Sequence, residues 1–199
     1  MNRKLQSVVN EMEEHTESSQ IKSKKLNVMV QPVIRKVTFN IGVGEGGEKL
    51  EKAVTLLKRI TDASIVKTKT MKRIPAFGVR PRLLVGAKVN VRGRKAEELL
   101  KKAFIAVGNK LKAANFDETG NFSFGIKDYG DLPGMKYDPH LGMFGMDVCV
   151  NLGRKGYRVK YRKVKASKVG AKHLLTKKEA MEFISKKFGV EIEEKVKPE

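Results

Sequence analysis

Lys36-Val37-Thr38-Phe39-Asn40-Ile41-Gly42-Val43-Gly44-Glu45-Gly46-Gly47 is the stretch on which the fold turns. Val37, Phe39 and Ile41 alternate with Lys36, Thr38 and Asn40. A period of two with one apolar side reads as a half-buried strand. After the glycine-rich turn the period changes. Leu50, Ala53, Val54, Leu57 and Ile60 fall on one helical stripe.

Working outward, a short strand at Ile65–Thr68 leads into a loop, Met71–Arg82, broken by Pro75, Gly78 and Pro81. The next strand points Val85, Ala87, Val89 and Val91 inward and Lys88, Asn90 and Arg92 outward. Gly93 opens a second helix with Ala96, Leu99, Leu100, Ala103, Val107 and Leu111 on its apolar face. Phe122, Phe124 and Ile126 mark a further strand, followed by a Gly/Pro/Asp-rich loop over Asp128–Gly145. Met146, Val148, Val150 and Leu152 mark another, and Tyr157, Val159 and Tyr161 are expected to extend the sheet beyond the Gly153–Gly156 turn. The last helix opens with a Thr176/Glu179 capping box and a Leu175–Ala180 staple, and stops at Gly189.

The order is β-α-β-β-α-β-β plus terminal helices. It predicts an α+β fold with an open antiparallel or mixed sheet and helices on one face. Residues 32–199 form the expected domain. Residues 1–31 are expected to be an appendage, with Leu5, Val8, Val9 and Met12 at helical spacing. Because each long strand has only one apolar side, the other sheet face is expected to stay open. It carries Lys36, Thr38, Asn40, Lys88, Asn90 and Arg92, groups suited to an RNA sugar-phosphate surface.

Composition narrows the function. The 199 residues carry 42 Lys and Arg against 22 Asp and Glu, a formal charge of +20. Such a field favours polyanions. No apolar run is long enough to cross a bilayer, and Met1-Asn2-Arg3-Lys4 leads into acidic residues rather than a signal core. The single cysteine, Cys149, allows no internal disulfide, and His15, His140 and His173 are scattered. The chain is therefore expected to be intracellular, with no metal, no cofactor and no membrane partner.

The distribution of charge is more telling than its sum. No acid occurs from Val66 to Ala96, which holds Lys67, Lys69, Lys72, Arg73, Arg80, Arg82, Lys88, Arg92, Arg94 and Lys95. None occurs from Val148 to Lys178, which holds Arg154, Lys155, Arg158, Lys160, Arg162, Lys163, Lys165, Lys168, Lys172, Lys177 and Lys178. Two long single-sign windows repel themselves unless an anion neutralises them. No zinc finger, basic zipper, helix-turn-helix or RNA-recognition-motif aromatic pattern is present. Met71–Arg82 and Lys163–Lys172 lack apolar periodicity and are expected to be mobile in the free protein.

Enzymatic readings are weaker. Gly42-x-Gly44-x-x-Gly47 has the outline of a dinucleotide-binding turn. Glu45 would repel a pyrophosphate there, and a β-β hairpin follows instead of a second β-α-β unit. Cys149 reads as a small core or sheet residue rather than a nucleophile. Asp128, Asp131, Asp138 and Asp147 read as turn acids rather than a Mg²⁺ site. A nucleotide-dependent enzyme and a general basic DNA-compaction protein stand as the alternatives.

Three blocks carry a family resemblance: Val37–Glu45, Ile74-Pro75-Ala76-Phe77-Gly78-Val79-Arg80 and Lys88-Val89-Asn90-Val91-Arg92-Gly93. In this order they resemble the universal large-subunit ribosomal protein five. Leu132–Pro139, Gly142–Val150 and Gly153–Arg162 with the closing helix are similar to its archaeal and eukaryotic branch. The resemblance runs from about Asn27 to Ile192. It implies a non-catalytic protein that binds 5S rRNA in the central protuberance, partly through polar sheet residues. It also implies contacts with large-subunit rRNA, P-site tRNA, other 5S-associated ribosomal proteins and a small-subunit head protein.

The expected rRNA contacts, drawn from the open face and the first acid-free window as well as from the resemblance, are Lys36, Thr38, Asn40, Lys67, Thr68, Lys88, Asn90, Arg92 and Arg94. Asn40 matches the family's RNA-contacting asparagine, and Asn90 stands where the family usually has threonine. The implied tRNA loop comprises Lys72, Arg73, Ile74, Pro75, Ala76, Phe77, Gly78, Val79, Arg80 and Arg82. From the second acid-free window, Arg154, Lys155, Arg158, Lys160 and Arg162 are expected as further RNA contacts. The chain departs from the family after its first helix. It reads Asp62-Ala63-Ser64-Ile65 where Gly-Gln-Lys-Pro is usual, so the family's glutamine contact is missing.

Overall fold

A computed structural model describes residues 27–193. The amphipathic helix expected at the N-terminus lies outside them.

The period-two stretches form a five-stranded antiparallel sheet. Its strands are β1 (Pro32–Gly42), β2 (Ile65–Lys69), β3 (Leu84–Val91), β5 (Phe122–Ile126) and β6 (Met146–Arg154), in the spatial order β2-β3-β1-β6-β5. Register follows the hydrophobic alternation. Phe39 pairs with Val89 and Val148, and Val148 pairs with Phe124. Val37 pairs with Val91 and Val150, and Val150 with Phe122. These rows, all buried, form the floor of one core. Helices α1 (Glu48–Thr61), α2 (Arg94–Ala106) and α4 (Lys177–Phe188) supply the other half of it. An aromatic cluster locks the joint, with Phe104 at 5.5 Å from Phe124 and 5.3 Å from Phe188, ring centre to ring centre.

Several local expectations needed correction. In α1, Leu56 and Thr61 are buried while Val54 and Ile60 are only partly covered, so the buried stripe is rotated from the predicted one. In α2, Phe104 is buried, and the helix ends before Leu111. Leu111 belongs to β4 (Lys110–Lys112), which pairs in parallel with β7 (Glu191–Glu193) beyond the Gly189 stop. Tyr157, Val159 and Tyr161 do not extend the sheet. Arg158–Tyr161 is a single helical turn, α3, which follows the Gly156 turn (φ 94°); β6 is already paired on both sides, with β1 and β5. Cys149 is exposed, since Val148 and Val150 hold the inward positions on either side of it.

The cap of α4 also ties down the end of β6. Thr176 and Glu179 form the reciprocal box, and Gly189 closes the helix in the left-handed conformation. Glu179 additionally accepts two hydrogen bonds from the Arg154 guanidinium, at 2.8 and 2.9 Å. Arg154 is only 8% exposed and also donates to the Lys172 carbonyl at 3.2 Å. Removing the acid strands a buried charge, whereas removing the cation does not. Glu179→Ala is therefore expected to destabilise the protein by about 2–3 kcal/mol, below the range for fully buried pairs because Glu179 is half exposed. Arg154→Met should lose less. Urea unfolding of the two variants checks this; equal losses would show that packing, not charge, holds the joint.

Candidate nucleic-acid interface

The side of the sheet opposite the helices has no covering layer among the described residues. Register sets its side chains in rows. One row runs Val66, Lys88, Asn40, Asp147 and Gly125. The next runs Asn90, Thr38, Cys149 and Ser123. Thr38 donates from Oγ1 to Asn90 Oδ1 at 2.7 Å, and Asn40 Nδ2 reaches Asp147 Oδ2 at 3.5 Å. These bonds hold the polar groups in fixed directions, as a surface that recognises shape requires. Between β1 and β5 the face is concave, with a depression of about 630 Å³ lined by Thr38, Asn40, Lys88, Ser123, Asp147 and Cys149 among others. Cys149 is exposed but partly desolvated at the floor of this depression; that desolvation, followed by the nearby Asp147 carboxylate, pushes its thiol above the ordinary pKa. Its thiolate, the reactive form, is thereby suppressed at neutral pH.

A β-bulge modifies the face at one end. The register of β1 against β6 shifts between Ile34 and Lys36, with Ile34 opposite Leu152 and Lys36 opposite Asn151. An extra residue in one strand breaks strict alternation. Arg35 and Lys36 consequently line the same groove, together with Arg92, Asn151, Arg158 and Tyr161. Sequence reasoning missed Arg35, because a strict period of two assigns it to the inward set with Val37 and Phe39. The placement of Ser123 and Asn151 on the open face, and of Tyr161 in this groove, was missed as well. Their alternation with Phe122, Phe124, Val150 and Leu152 was a usable signal for the first two.

The β2–β3 connection is a closed hairpin rather than a featureless loop. Thr70 N–H donates to the Leu83 carbonyl at 2.9 Å, and Arg82 N–H donates back to Thr70 at 2.8 Å. Ile74 pairs with Val79 across a 3-10 turn at Pro75–Phe77, which Gly78 closes with φ 64°. Lys72, Arg73, Arg80 and Arg82 are exposed on it. Phe77 at the tip is 78% exposed. Val79 is buried.

The predicted contacts divide accordingly. Lys36, Thr38, Asn40, Thr68, Lys88 and Asn90 share the open side, and exposed Arg92 follows β3 at its edge. Arg94 is the first residue of α2, followed by Lys95. The same first turn holds Glu97, which is bonded to Lys187 of α4. Lys67 does not belong to the open face: it pairs with inward-facing Ala87 and is bonded to Glu51 of α1. Arg154 does not either, being spent on Glu179. Lys155, Arg158, Lys160 and Arg162 are exposed around α3. Of the two acid-free windows, only Lys67 and Arg154 have a carboxylate partner among the described residues.

The alternative chemistries find no support in the geometry. Gly44 and Gly47 take positive φ, and the helix after them opens with Glu48 and Glu51. An anion at that helix end would meet carboxylates. Asp138 accepts from Arg59 at 2.9 Å and from the His140 N–H, which hold its carboxyl below the usual range and fasten the Asp128–Gly145 loop to α1. No cluster of three metal-ligating side chains occurs among the described residues.

Comparison with known proteins agrees with the sequence blocks. The profile of the ribosomal L5P family C-terminus matches residues 84–183, and that of ribosomal protein L5 matches residues 27–80. The chain is 50% identical over 167 residues to the large ribosomal subunit protein uL5 of Methanococcus maripaludis, covering 82% of this chain and 92% of that one. It is 48% identical to uL5 of Methanococcus vannielii over the same shares. It is 43% identical to uL5 of Methanosphaera stadtmanae, covering 84% of this chain and all of that one. The chain belongs to the ribosomal protein L5 family, uL5, and is a structural, non-enzymatic protein of the large ribosomal subunit.

Proposed function

We propose that the protein binds 5S rRNA through the open face of its sheet and anchors it in the central protuberance, while the Thr70–Leu83 hairpin reaches P-site tRNA. The single observation that carries this reading is the uncovered face itself. A five-stranded sheet with an apolar core on one side presents oriented hydroxyls and amides on the other. Thr38, Asn40, Asn90 and Ser123 hydrogen-bond riboses and phosphates by shape, and Lys36, Lys88 and Arg92 supply charge. The hairpin adds a second arm, with cations along its sides and Phe77 at its tip. Large-subunit rRNA, other 5S-associated proteins and a small-subunit head protein complete the proposed partners.

Charge supports capture and shape supports selection. Each phosphate neutralised contributes about 0.9 to the slope of log affinity against log salt on duplex-like RNA. Asn40→Ala with Lys88→Ala is expected to weaken 5S rRNA binding by about tenfold or more, and an unrelated RNA of equal length much less. Equal losses on both RNAs would count against a specific sheet site. Shortening Ile74–Arg82 is expected to leave 5S rRNA binding nearly intact and impair P-site tRNA engagement. Loss of 5S binding in that variant would contradict the division of labour.

Cys149, the only cysteine, reports on the same face. Because its thiol pKa is raised, alkylation should be slow at neutral pH and accelerate as pH rises through and above the ordinary thiol range. Bound 5S rRNA is expected to suppress labelling at any fixed pH in that range. Labelling that proceeds at the same rate with saturating 5S rRNA would show that the RNA binds elsewhere.

A further inference from the structure

Where the β1 bulge meets the end of β6, the open face deepens into a groove of about 510 Å³ lined by Arg35, Lys36, Arg92, Asn151, Arg158 and Tyr161. No acid lines it. None of its four cations has a carboxylate partner among the described residues.

The groove is a built feature. The Arg35 guanidinium lies 4.8 Å from the ring centre of Tyr161 and 5.4 Å from that of Tyr157, within cation–π range. Tyr157 is itself fixed, its hydroxyl donating to the His173 carbonyl at 3.2 Å and its ring meeting the His173 ring edge-on at 5.8 Å. Gly153 makes the approach possible, since a Cβ there would stand 2.8 Å from Arg35 Cδ and 3.2 Å from the Tyr157 ring. Asn151 donates from Nδ2 to Asn121 Oδ1 at 2.8 Å, which orients its own carbonyl oxygen. Tyr161 remains 61% exposed.

The composition of the groove selects its ligand. A fully paired helix turns its bases inward and offers only phosphates and riboses, for which an exposed aromatic ring has little use. A strand with one base swung out offers both a ring to stack and phosphates on either side of it. We propose that this groove is a site for an unpaired nucleotide of a structured RNA. The base stacks on Tyr161, Arg35, Lys36, Arg92 and Arg158 hold the flanking phosphates, and the Asn151 carbonyl accepts from a base amino group. The inference rests on reading the open face as an RNA surface and adds a preference for unpaired RNA to it.

Fluorescence titration of the full chain with two short RNA hairpins tests this, one fully paired and one identical but for a single bulged aminopurine nucleotide. The wild-type protein is expected to favour the bulged hairpin by about tenfold and to quench its fluorescence. Tyr161→Ala should abolish both effects, bringing affinity for the bulged hairpin down to that for the paired one. Tyr161→Phe should retain both. Arg35→Lys keeps the charge but loses the planar stack, and should lower the preference. Equal wild-type affinity for the two hairpins, or a preference that survives Tyr161→Ala, overturns the proposal. Because the probes are short hairpins, this outcome is independent of 5S rRNA selectivity, which is judged on the Asn40 and Lys88 variants.

Discussion

One-sided burial of the five-stranded sheet is the constraint on which everything else depends. Val37, Phe39, Val89, Val148 and Val150 are drawn into one core with α1, α2 and α4, and period-two geometry then forces their neighbours outward. Thr38, Asn40, Lys88, Asn90 and Cys149 are thereby assembled from three strands far apart in sequence. A one-residue slip of β1 would exchange the two sets and remove core and interface together. Stability and the make-up of the open face share a single register.

The charge pattern is the second constraint. Acids of α1, the Asp128–Gly145 loop and α4 bind Lys52 and Lys67, Arg59, and Arg154 respectively. The hairpin and the chain around α3 are left with cations and no acids of their own. For a free protein this is self-repulsion. For a protein of the large ribosomal subunit it is a surface already matched to its surroundings. Lys67 and Arg154 illustrate the limit of reading charge from sequence alone. Both lie in acid-free windows, yet both are neutralised by carboxylates distant in the chain.

Much of the architecture was legible from periodicity. The strand alternations, the glycine turn before α1 and the cap and stop of α4 all correspond to local physics that neighbouring residues decide. What escaped depended on tertiary context. The Arg35 bulge exists because β1 must meet β6 across a register shift, and no local pattern announces that shift. Tyr157–Tyr161 alternates like a strand but coils; the strand before it, β6, already has both edges paired, to β1 and β5, and offers it no partner. Leu111 looked like the end of a helix and is a strand, paired with a segment some eighty residues later. The candidate site divides the same way. Its sheet residues were readable, and the groove that joins Arg35 to Tyr161 was not.

The central claim is that the open face selects one RNA by shape and does not merely attract polyanions. A competition assay tests it most directly, with labelled 5S rRNA bound at near-physiological salt and challenged by an unrelated structured RNA of similar length. The account predicts that 5S rRNA resists the competitor by several hundredfold or more, about the lower end of specific over non-specific nucleic-acid binding. Free exchange of the two RNAs would contradict it and leave only electrostatic attraction.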